Sequence, residues 1–529
     1  MTNKVFYYII KAIKGFYKKM KRKAKKVIRF IFSKNMFLLL CLVLQVGIII
    51  AIYSITNIYA SRILGGTITI FAFLLALYIN NTDHHPDTKL AYIIILVLFP
   101  LYGTLTYFLA WLGMGNQKFK KHIKRIELQT TPLAQNEDVL KKLPESRIRG
   151  IANYLYNTSH FPIYENTKCT YYSSGENMYK AMIAEIKKAK KFIFLEYYII
   201  QHGVMLDSII ELLKEKVKDG VEVRFLYDGT SSIAKIPHKF AKEMQKAGID
   251  CKMFMPVRAI LSTEQNNRDH RKLLIIDNDV CFTGGINLAD EYINEVQPYG
   301  YWKDVGIKLY GQAVTSFTQM FLKMWNFRQK NIEQFNPYLT QSIAQESDGL
   351  IIPISDHPHD NEDISKTIIL HILANAKRYV HITTPYLVLD DELKNAIAAT
   401  AKKGIDVSIV TPNTPDKKVI FYATQSNYKK LIDAGVKIYQ YLPGFIHAKM
   451  IVSDDKCAML GTVNFDYRSL FLNFEDAVYL YQNSKIFDIE SDFQSVVKES
   501  KLITKQEYKK LNIFRRFFGR LIKIFTPLM

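Results

Sequence analysis

The stretch of sequence that decides the fold occurs twice, at residues 269–288 (DHRKLLIIDNDVCFTGGINL) and at residues 446–465 (IHAKMIVSDDKCAMLGTVNF). In each copy a His-x-Lys pair opens an apolar run, an Asp follows where the run turns, and a glycine and an asparagine close the segment. Short apolar runs bounded by Asp, Asn and Gly predict buried β-strands. Repetition of such a segment predicts two equivalent units within one chain.

The segments upstream of each copy repeat in the same order. Apolar, β-rich runs alternate with stretches that have the period of amphipathic helices and that end in Lys-rich turns followed by glycine. The runs lie at 189–199, 218–228 and 246–256 before the first copy, and at 376–387, 402–412 and 433–443 before the second. Alternating strands and helices are typical of layered α/β folds with a parallel or mixed sheet. We therefore predict an α/β fold of two tandem α/β/α lobes related by a pseudo-twofold axis.

Each copy carries one His-x-Lys pair, His270 with Lys272 and His447 with Lys449. Because strand side chains alternate between faces, residues two apart point to the same side. A site that takes one pair from each lobe holds two imidazoles and two ammonium groups, which suits a phosphodiester. The lysines can neutralise phosphoryl oxygens, one imidazole can attack phosphorus, and the other can protonate the leaving alcohol.

Acidic residues complete the candidate catalytic site. Asp277 and Asp454 follow the histidines of their motifs by seven positions, an odd separation that turns them to the other face of a regular strand. We therefore predict that these members of the His-Lys-Asp motif have a structural or supporting role. A histidine nucleophile also needs a carboxylate to fix its tautomer. The candidates for that carboxylate are Asp304 in YWKD and Glu475 in NFED.

Further polar residues recur after the two motifs. Asn287 and Asn464 each lie 17 residues after the histidine of their copy, and an amide there can donate to a phosphoryl oxygen. Thr462 is a third supporting candidate, and it stands where the first copy has Gly285. Glu196, in an upstream strand, is interpreted either as reaching the site or as satisfying a buried neighbour.

The basic excess of the chain is concentrated at its beginning. The net charge is +22, and residues 1–35 contain twelve Lys and Arg and no acidic residue. Aromatic and aliphatic residues are interleaved with these charges, as in amphipathic helices on an anionic leaflet. We predict a membrane-surface segment at 1–35, with a solvated basic tail as the alternative. The net charge alone leaves nucleic acid open as a partner, but its placement favours anionic membrane lipids and no nucleic acid.

Three windows without charged residues follow this segment, at 35–61, 63–82 and 90–117. Each approaches or exceeds the ~20 residues that cross the hydrocarbon of a bilayer, so 36–117 is predicted to be a region of transmembrane helices. Basic residues flank the region on both sides, which places both flanks in the cytoplasm and requires an even number of crossings. We expect two crossings, with the middle window, opened by Gly65-Gly66, re-entrant or interfacial. Pro100 is expected to kink the third window.

The remaining boundaries follow from these patterns. We predict a linker at 118–160, a first lobe at 161–335, an inter-lobe linker at 336–349, a second lobe at 350–495 and a basic amphipathic tail at 496–529. The tail is interpreted either as a second membrane-surface helix or as a segment packed against a lobe. Hydrophobic residues make up 49% of the chain, which is ordinary for a folded protein and excludes a mainly disordered chain.

Residue types that bind metals occur in two short polar segments, DHHPD at 83–87 and DHPHD at 356–360. Both contain proline and connect apolar runs, so we interpret them as loops. The five cysteines show no Cys-x-x-Cys spacing and no disulfide framework, which is compatible with a reducing compartment. We therefore predict neither a metal site nor a cofactor.

These motifs resemble those of the phospholipase D superfamily, whose signature is the duplicated His-Lys-Asp motif. The bacterial cardiolipin synthase branch is the closer match, since the segments YWKD, GTVNFDYRSLFLNFE and RLIKIFTPLM and the apolar N-terminal region are similar to it. The resemblance implies a metal-independent phosphatidyl transfer at the plasma membrane of a bacterium, with phosphatidylglycerol as substrate. It implies that His270 is the nucleophile and that His447 acts first as acid and then as base. Asp304 and Glu475 would orient the two imidazoles.

Some features depart from that branch, and several related functions stay open. Lys303 stands where the branch usually has an arginine, which removes a fork of hydrogen-bond donors. Within the superfamily the alternatives are a phospholipase D that hydrolyses its lipid, another phosphatidyltransferase such as a phosphatidylserine synthase, and a nuclease. A catalytically inactive membrane scaffold is the alternative from a different class.

Overall fold

The computed structural model describes residues 58–528 apart from short gaps, together with five isolated positions before residue 58. The gaps are 113–114, 144–145, 233–234, 258–265, 341 and 361, and the isolated positions are 43, 46, 47, 50 and 54. The predicted membrane-surface segment at 1–35 and nearly all of the first charge-free window lie outside the described residues. The chain divides into two compact units, Met1–Asn116 with Arg258–Gln265, and Gln117–Val257 with Asn266–Met529.

The first unit contains three helices in its described part, α1 (Ile58–Asn80), α2 (Pro86–Leu98) and α3 (Pro100–Leu112). Within the described residues, Arg62–Asn80 alone forms a helix long and apolar enough to cross a membrane. Its 19 residues span ~28 Å, close to the thickness of a hydrocarbon layer. This helix is the middle window, so the window that we expected to be re-entrant has the longest apolar helix described.

The third charge-free window is not one continuous helix. It breaks at Pro100 into α2 and α3, which have 13 residues each and fold back against one another. A Cβ added at Gly103 would lie 2.6 Å from Cα of Leu96, and the rings of Tyr92 and Tyr107 meet at 5.3 Å. Each helix is ~20 Å long, shorter than the ~30 Å hydrocarbon layer. A helical hairpin therefore replaces the kinked span that we predicted.

The second unit begins with most of α4 and continues through the first lobe. Its opening helices are α4 (Gly115–Gln129), α5 (Glu137–Lys142) and α6 (Ser146–Ser159). The strands that follow are β1 (Thr167–Tyr172), β2 (Phe192–Tyr197), β3 (Glu222–Asp228), β4 (Asp250–Phe254), β5 (Arg268–Asp269), β6 (Lys272–Ile276), β7 (Val280–Gly284), β8 (Tyr301–Lys303) and β9 (Gly306–Gly311). The helices among them are α7 (Gly175–Lys188), α8 (Val204–Lys218), α9 (Phe240–Lys246) and α10 (Val314–Trp325).

The second lobe repeats this series of elements. Its strands are β10 (Leu350–Asp356), β11 (Tyr379–Thr383), β12 (Leu387–Val388), β13 (Asp406–Pro412), β14 (Lys437–Tyr441), β15 (Gly444–Ile446), β16 (Met450–Ser453), β17 (Cys457–Gly461), β18 (Phe465–Asp466), β19 (Asn473–Tyr481) and β20 (Ser500–Leu502). Its helices are α11 (Ile364–Asn375), α12 (Asp391–Lys402), α13 (Lys418–Asp433), α14 (Tyr467–Phe471), α15 (Lys485–Lys498), α16 (Lys505–Lys510) and α17 (Ile513–Phe525).

The two main sheets have the same topology. Among the described residues, the first runs β1-β9-β7-β6-β2-β3-β4, and the second runs β10-β19-β17-β16-β11-β13-β14 with β20 added at the edge. In each sheet three strands are parallel (β2, β3 and β4; β11, β13 and β14), and the other strands along these paths pair antiparallel. The short strand β5 lies off the path of the second sheet and pairs in parallel with β19. The mixed α/β architecture and the duplication that the sequence predicts are thus present strand by strand.

A shared apolar core joins the lobes. It contains Phe194 of the first sheet, Val452 of the second sheet, Phe321 of α10 and Phe493 of α15, all of them buried. Burying one such side chain stabilises a fold by roughly 1.5–3 kcal/mol. Two further cores pack the outer face of each sheet against its own helices. The inner core holds the lobes in a fixed relation, which positions residues from both at one site.

Candidate active site

Each His-x-Lys segment is tied to the opposite lobe by backbone hydrogen bonds. The short strand β5 pairs in parallel with the start of β19, and the amide of His270 donates to the carbonyl of Phe474 at 2.9 Å. In the matching place β15 pairs with β8, and the amide of His447 donates to the carbonyl of Lys303 at 2.7 Å. Each catalytic candidate therefore lies beside the strand end of the other lobe.

Each imidazole is hydrogen-bonded to a carboxylate of that opposite segment, since Glu475 lies in β19 and Asp304 directly follows β8. Nδ1 of His270 lies 2.8 Å from Oε2 of Glu475, and Nδ1 of His447 lies 2.6 Å from Oδ2 of Asp304. Both carboxylates are fully buried. A carboxylate on Nδ1 holds the proton there and leaves Nε2 as the nitrogen that can react. The structure thus brings both predicted carboxylates to the histidines, each from the opposite lobe.

The two lysines are buried beside the histidines. Nζ of Lys272 donates to the carbonyl of His270, and Nζ of Lys449 donates to the carbonyl of His447. Burial lowers the pKa of Lys272 to about 8, although Glu475 partly opposes this shift. Burial lowers the pKa of Lys449 to about 7. Burial thus destabilises two charged ammonium groups in the absence of an anion, so an anionic ligand would stabilise them.

Both imidazoles are neutral near pH 7. Burial lowers the pKa of His270 well below its usual range, and the charges of Lys272 and Lys449 lower it further. Burial also lowers the pKa of His447 to about 4, with Lys449 acting in the same direction and Asp304 opposing it. Lysines from both lobes act on His270, so the two His-Lys pairs converge on one site. A neutral imidazole with a free Nε2 is competent as a nucleophile or as a base.

The two carboxylates differ electrostatically. Burial raises the pKa of Asp304, but the attraction of His447 and Lys449 outweighs it and the net pKa is lowered. Burial raises the pKa of Glu475 to about 7, and Lys272 opposes it only in part. Asp304 is therefore ionised near pH 7, whereas the raised pKa of Glu475 favours its protonated form more. We call each histidine with its carboxylate a dyad. The two dyads have the same hydrogen-bond geometry, but their carboxylates differ in pKa.

Gly285 and Thr462, at matching positions of the repeat, contribute to this difference. A Cβ at Gly285 would overlap the carboxylate of Asp304, so no side chain fits there. The hydroxyl of Thr462 instead donates to Oε2 of Glu475 and accepts from the amide of Asp476 at 2.9 Å. The carboxylate of Asp304 thus packs against the backbone of Gly285, whereas that of Glu475 accepts a hydrogen bond from the hydroxyl of Thr462.

The aspartates of the motif lie away from the reacting groups. The carboxylate of Asp277 accepts hydrogen bonds from the amides of residues 190–192 at 2.7–2.8 Å, and that of Asp454 accepts from the amides of residues 377–379 at 2.7–2.9 Å. Both residues have positive φ, 56° and 58°, in the turn after the motif strand. Asp tolerates this conformation better than most side chains. Their contacts therefore support the start of a neighbouring strand.

The two asparagines have different surroundings. Oδ1 of Asn287 accepts from the amide of Ile199 at 3.0 Å, and its Nδ2 donates to the hydroxyl of Tyr292 at 2.7 Å. The oxygen of this amide and one of its two N–H groups are thus engaged within the first lobe. Oδ1 of Asn464 is buried without a hydrogen-bond partner. An oxygen can only accept, so donation to a phosphoryl oxygen stays a prediction for both asparagines.

Sequence reasoning missed several residues that surround the histidines. The ring of Tyr198 lies 4.9 Å from that of His270 and 5.6 Å from Nζ of Lys272. The rings of Tyr292 and Trp302 each lie 5.4 Å from that of His447. These aromatic rings pack beside the two buried imidazoles. The available signals were that Trp302 is part of YWKD and that Tyr198 directly follows the end of β2.

The sequence analysis did not identify two cations near His270, and it left the role of Glu196 open. Lys417 and Arg468 act on His270 from outside the motifs and contribute to its lowered pKa. Glu196 does not reach the histidines. It is fully buried, 3.8 Å from Nη1 of Arg271, and burial and the charge of Asp269 raise its pKa. The contact with Arg271 is longer than a hydrogen bond, so satisfaction of a buried neighbour stays a prediction.

The remaining candidates lie in structural contacts. Nζ of Lys303 bonds to Asp492 at 2.8 Å and so links the lobes. In DHPHD, Nε2 of His357 lies 3.4 Å from Glu127. Within the residues that the structure describes, no group of three or more His, Cys, Asp and Glu side chains is arranged to hold a metal ion.

Comparison with known proteins identifies a family that both lobes match. The family described as "Cardiolipin synthase, PLD-like domain" matches residues 182–325 and 369–497. An uncharacterized protein from Streptococcus mutans is 42% identical over 86% of this chain and 99% of its own length. A cardiolipin synthase from Alkalihalophilus pseudofirmus is 31% identical over 87% of this chain and 93% of its own length.

A solved structure matches the fold. The phosphatidylserine synthase of Haemophilus influenzae superposes with a TM-score of 0.55 and 16% identity, covering 72% of this chain and 98% of that one. At this identity the match is informative about the fold alone, and it confirms the α/β architecture. The family match covers both lobes, and the curated cardiolipin synthases extend over most of the chain. This chain belongs to the PLD-like cardiolipin synthase family.

Proposed function

We propose that this chain is a membrane-associated cardiolipin synthase that transfers a phosphatidyl group from one phosphatidylglycerol to another and releases glycerol. Family membership supports the activity. The observation that carries the mechanism is the pair of histidines, each bonded through Nδ1 to a carboxylate of the opposite lobe at 2.8 Å and 2.6 Å. Two such dyads with two buried lysines provide one nucleophile, one acid–base group and a cationic site for the phosphoryl oxygens.

In the first step Nε2 of His270 attacks phosphorus of the donor lipid. A P–N bond forms, the P–O bond to the glycerol headgroup breaks, and His447 gives its proton to the departing oxygen. In the second step His447 takes a proton from a hydroxyl of the acceptor phosphatidylglycerol, whose oxygen attacks phosphorus and breaks the P–N bond. Cardiolipin leaves, and both imidazoles return to their starting protonation states.

The charges around the dyads support this division of roles. His447 must carry a proton at the start, and the ionised Asp304 on its Nδ1 stabilises an imidazolium. A bound phosphodiester anion offsets the two lysines that lower the pKa of His447, so substrate binding raises that pKa toward neutrality. His270 has the partly protonated Glu475 as its partner. This weaker anion stabilises an imidazolium less, which suits a nucleophile that must stay neutral before attack.

The domain and membrane assignments complete the proposal. The lobes extend over 161–335 and 350–495, joined by the linker at 336–349, and the tail covers 496–529. The region at 36–117 anchors the enzyme in the plasma membrane of a bacterium as a multi-pass segment, preceded by the basic segment at 1–35, and the lobes face the cytoplasm. Supporting this, Arg62–Asn80 is long and apolar enough to span a bilayer.

The function is tested by giving the purified full chain phosphatidylglycerol vesicles in the presence of EDTA and following lipids and glycerol. Cardiolipin with stoichiometric glycerol is the expected result. Phosphatidic acid as the main product would indicate a hydrolase, and a requirement for added divalent metal would contradict the mechanism. His270→Ala should abolish the phosphoenzyme formed from lipid labelled at phosphorus. A phosphohistidine trapped at His447 would reverse the assignment of roles.

A further inference from the structure

The C-terminal helix α17 (Ile513–Phe525) has its polar side toward the protein and its apolar side outward. A helix that packs on the core of a soluble protein has the reverse arrangement. The one fully buried residue of α17 is Gly519, which approaches the carbonyl of Tyr422 in α13 so closely that a Cβ there would overlap it. The side chain of Asn512 caps the helix by accepting from the amide of Phe514 at 2.8 Å. The helix is therefore fixed on the second lobe by backbone contact.

The basic side chains of α17 face the protein or flank the contact. The guanidinium of Arg515 lies 5.8 Å from the ring centroid of Tyr422, and that of Arg516 lies 5.8 Å from the ring of Tyr508. Nζ of Lys523 lies 3.8 Å from a carboxylate oxygen of Asp391. The polar side of this amphipathic helix is thus used for packing.

The apolar side of α17 faces outward. Five large apolar side chains on it are between 41% and 68% exposed. They are Ile513, Phe514, Phe517, Phe518 and Leu521. Exposed clusters of this kind on a soluble lobe mark a surface that binds an apolar partner. We call these five residues the aromatic face.

A cationic cleft of about 380 Å³ lies beside the same helix. Its lining includes Lys402 of α12, Lys429 and Lys430 of α13 and Arg520 of α17, against a single acidic residue, Asp433. Lys429 is bonded to Asp433 at 2.7 Å, which leaves an excess of positive charge. Cations at the border of an apolar face match the headgroup layer of an anionic leaflet, where each contributes ~1 kcal/mol to binding.

We propose that α17 and the cleft beside it form a membrane-docking surface, in which the aromatic face enters the acyl region of an anionic leaflet and the cleft binds lipid phosphates. A helix lying in the membrane interface buries its apolar face ~5–10 Å deep and keeps its cations at headgroup level. A second copy of this chain is the less favoured occupant, because like-charged clefts would be brought together across such a contact. This inference goes beyond the chemistry proposed above and does not depend on it.

The surface is connected to the active site through α13 (Lys418–Asp433). Gly519 contacts the middle of this helix, and its first turn follows Lys417, whose charge acts on His270. Docking of α17 would therefore hold one wall of the site at a fixed distance from the leaflet that supplies its lipids. It gives the second lobe a membrane contact of its own.

The insertion is tested in the full chain reconstituted into phosphatidylglycerol-containing vesicles. A dye sensitive to polarity is attached at Phe517→Cys after Cys41 and Cys457 have been replaced by serine, and brominated lipids act as quenchers. The control is Phe487→Cys, since Phe487 on α15 is also exposed, at 59%. We expect quenching at 517 and none at 487. Equal quenching at both positions, or energy transfer between labelled chains that rises with the protein-to-lipid ratio, would overturn the proposal.

A kinetic test separates docking from chemistry. Phe514→Ser combined with Phe517→Ser should raise KM for phosphatidylglycerol in vesicles at least about tenfold. The variant should keep wild-type kcat and KM on a short-chain phosphatidylglycerol that is monomeric in water, because the catalytic groups are untouched. An unchanged vesicle KM would refute the docking surface. A wild-type chain that is inactive on both substrates would instead refute the proposed function.

Discussion

The carboxylate of Asp304 lies 2.6 Å from Nδ1 of His447, although 143 residues and the boundary between the lobes separate the two. The reciprocal bond joins Glu475 of the second lobe to His270 of the first at 2.8 Å. Neither lobe contains both members of a dyad. Catalytic competence therefore depends on the interface between the lobes as much as on the motifs.

Replacing the two carboxylates should have unequal effects. Asp304→Asn removes the anion that stabilises a protonated His447, and kcat should fall roughly 10²–10⁴-fold. Glu475→Gln should cost less, about 10–10²-fold, because Glu475 is already partly protonated near pH 7. Glycerol release measured at saturating lipid gives kcat for both variants. A larger loss for Glu475→Gln would exchange the roles of the dyads.

The motif aspartate should prove structural. Asp454→Ala removes the acceptor of three backbone hydrogen bonds and a residue suited to positive φ, so the free energy of unfolding should fall by about 2–4 kcal/mol. The activity per folded molecule should stay within a few fold of wild type. Thermal unfolding and an active-site titration measure the two quantities. Activity lost at an unchanged Tm would show a direct catalytic role instead.

Gly285 should tolerate no side chain. Gly285→Ala would push a methyl group into the Asp304 carboxylate, displacing it from His447, and overpacking of this kind costs about 1–3 kcal/mol of stability. We expect kcat to fall to the level of Asp304→Asn. The matched control is Gly150→Ala in α6, where nothing lies within 4 Å of the added Cβ. The control should be neutral or stabilising, and equal effects of the two changes would contradict this account.

Anion binding should weaken with rising pH. Only protonated lysines attract an anion, and the pKa values of Lys449 and Lys272 in the empty site are about 7 and about 8. An anion raises both values, so affinity is constant well below pH 7 and declines as pH rises through about 7 and 8, where the free site loses its protons. Competitive inhibition by tungstate, measured from pH 6 to 9.5, should show this decline. Lys449→Met should bind tungstate more weakly at pH 6.5 and show a shallower decline, and a wild-type affinity that is constant to pH 9 would exclude the lysines as the anion site.

The sequence was a sufficient guide to the lobes and to the groups within each motif. The apolar runs before each His-x-Lys pair became β2, β3 and β4 and their counterparts β11, β13 and β14, because buried runs between glycine-capped helices have few other arrangements. The positive φ of Asp277 and Asp454 agrees with the turn that their spacing indicated. These strands and turns depend on residues close together in the sequence, so sequence patterns predict them.

Contacts between residues far apart in the sequence could not be predicted from such patterns. The sequence proposed Asp304 and Glu475 as partners for the imidazoles, but it left open which carboxylate belongs to which histidine. The answer depends on the pairing of β5 with β19 and of β8 with β15, where only two or three residues meet. Strands so short carry no periodicity.

The apolar region shows the same limit. Pro100 predicts an interruption of a helix but not its angle, and the reversal there depends on the close contact of Gly103 with Leu96. Nothing in the composition of that window distinguishes a kinked span from two short helices folded together.

The exchange of strand ends between the lobes has a further consequence for how such a protein is assembled. Each lobe supplies a carboxylate to the histidine of the other lobe and receives one for its own. Two identical subunits in an isologous contact exchange residues in the same way. A chain with a single lobe could form these dyads only as a twofold dimer, and its activity would fall on dilution. Joining both halves in one polypeptide makes the encounter intramolecular, so the effective concentration of one half for the other is fixed by the connecting segment. Both dyads therefore form within one chain and need no second copy.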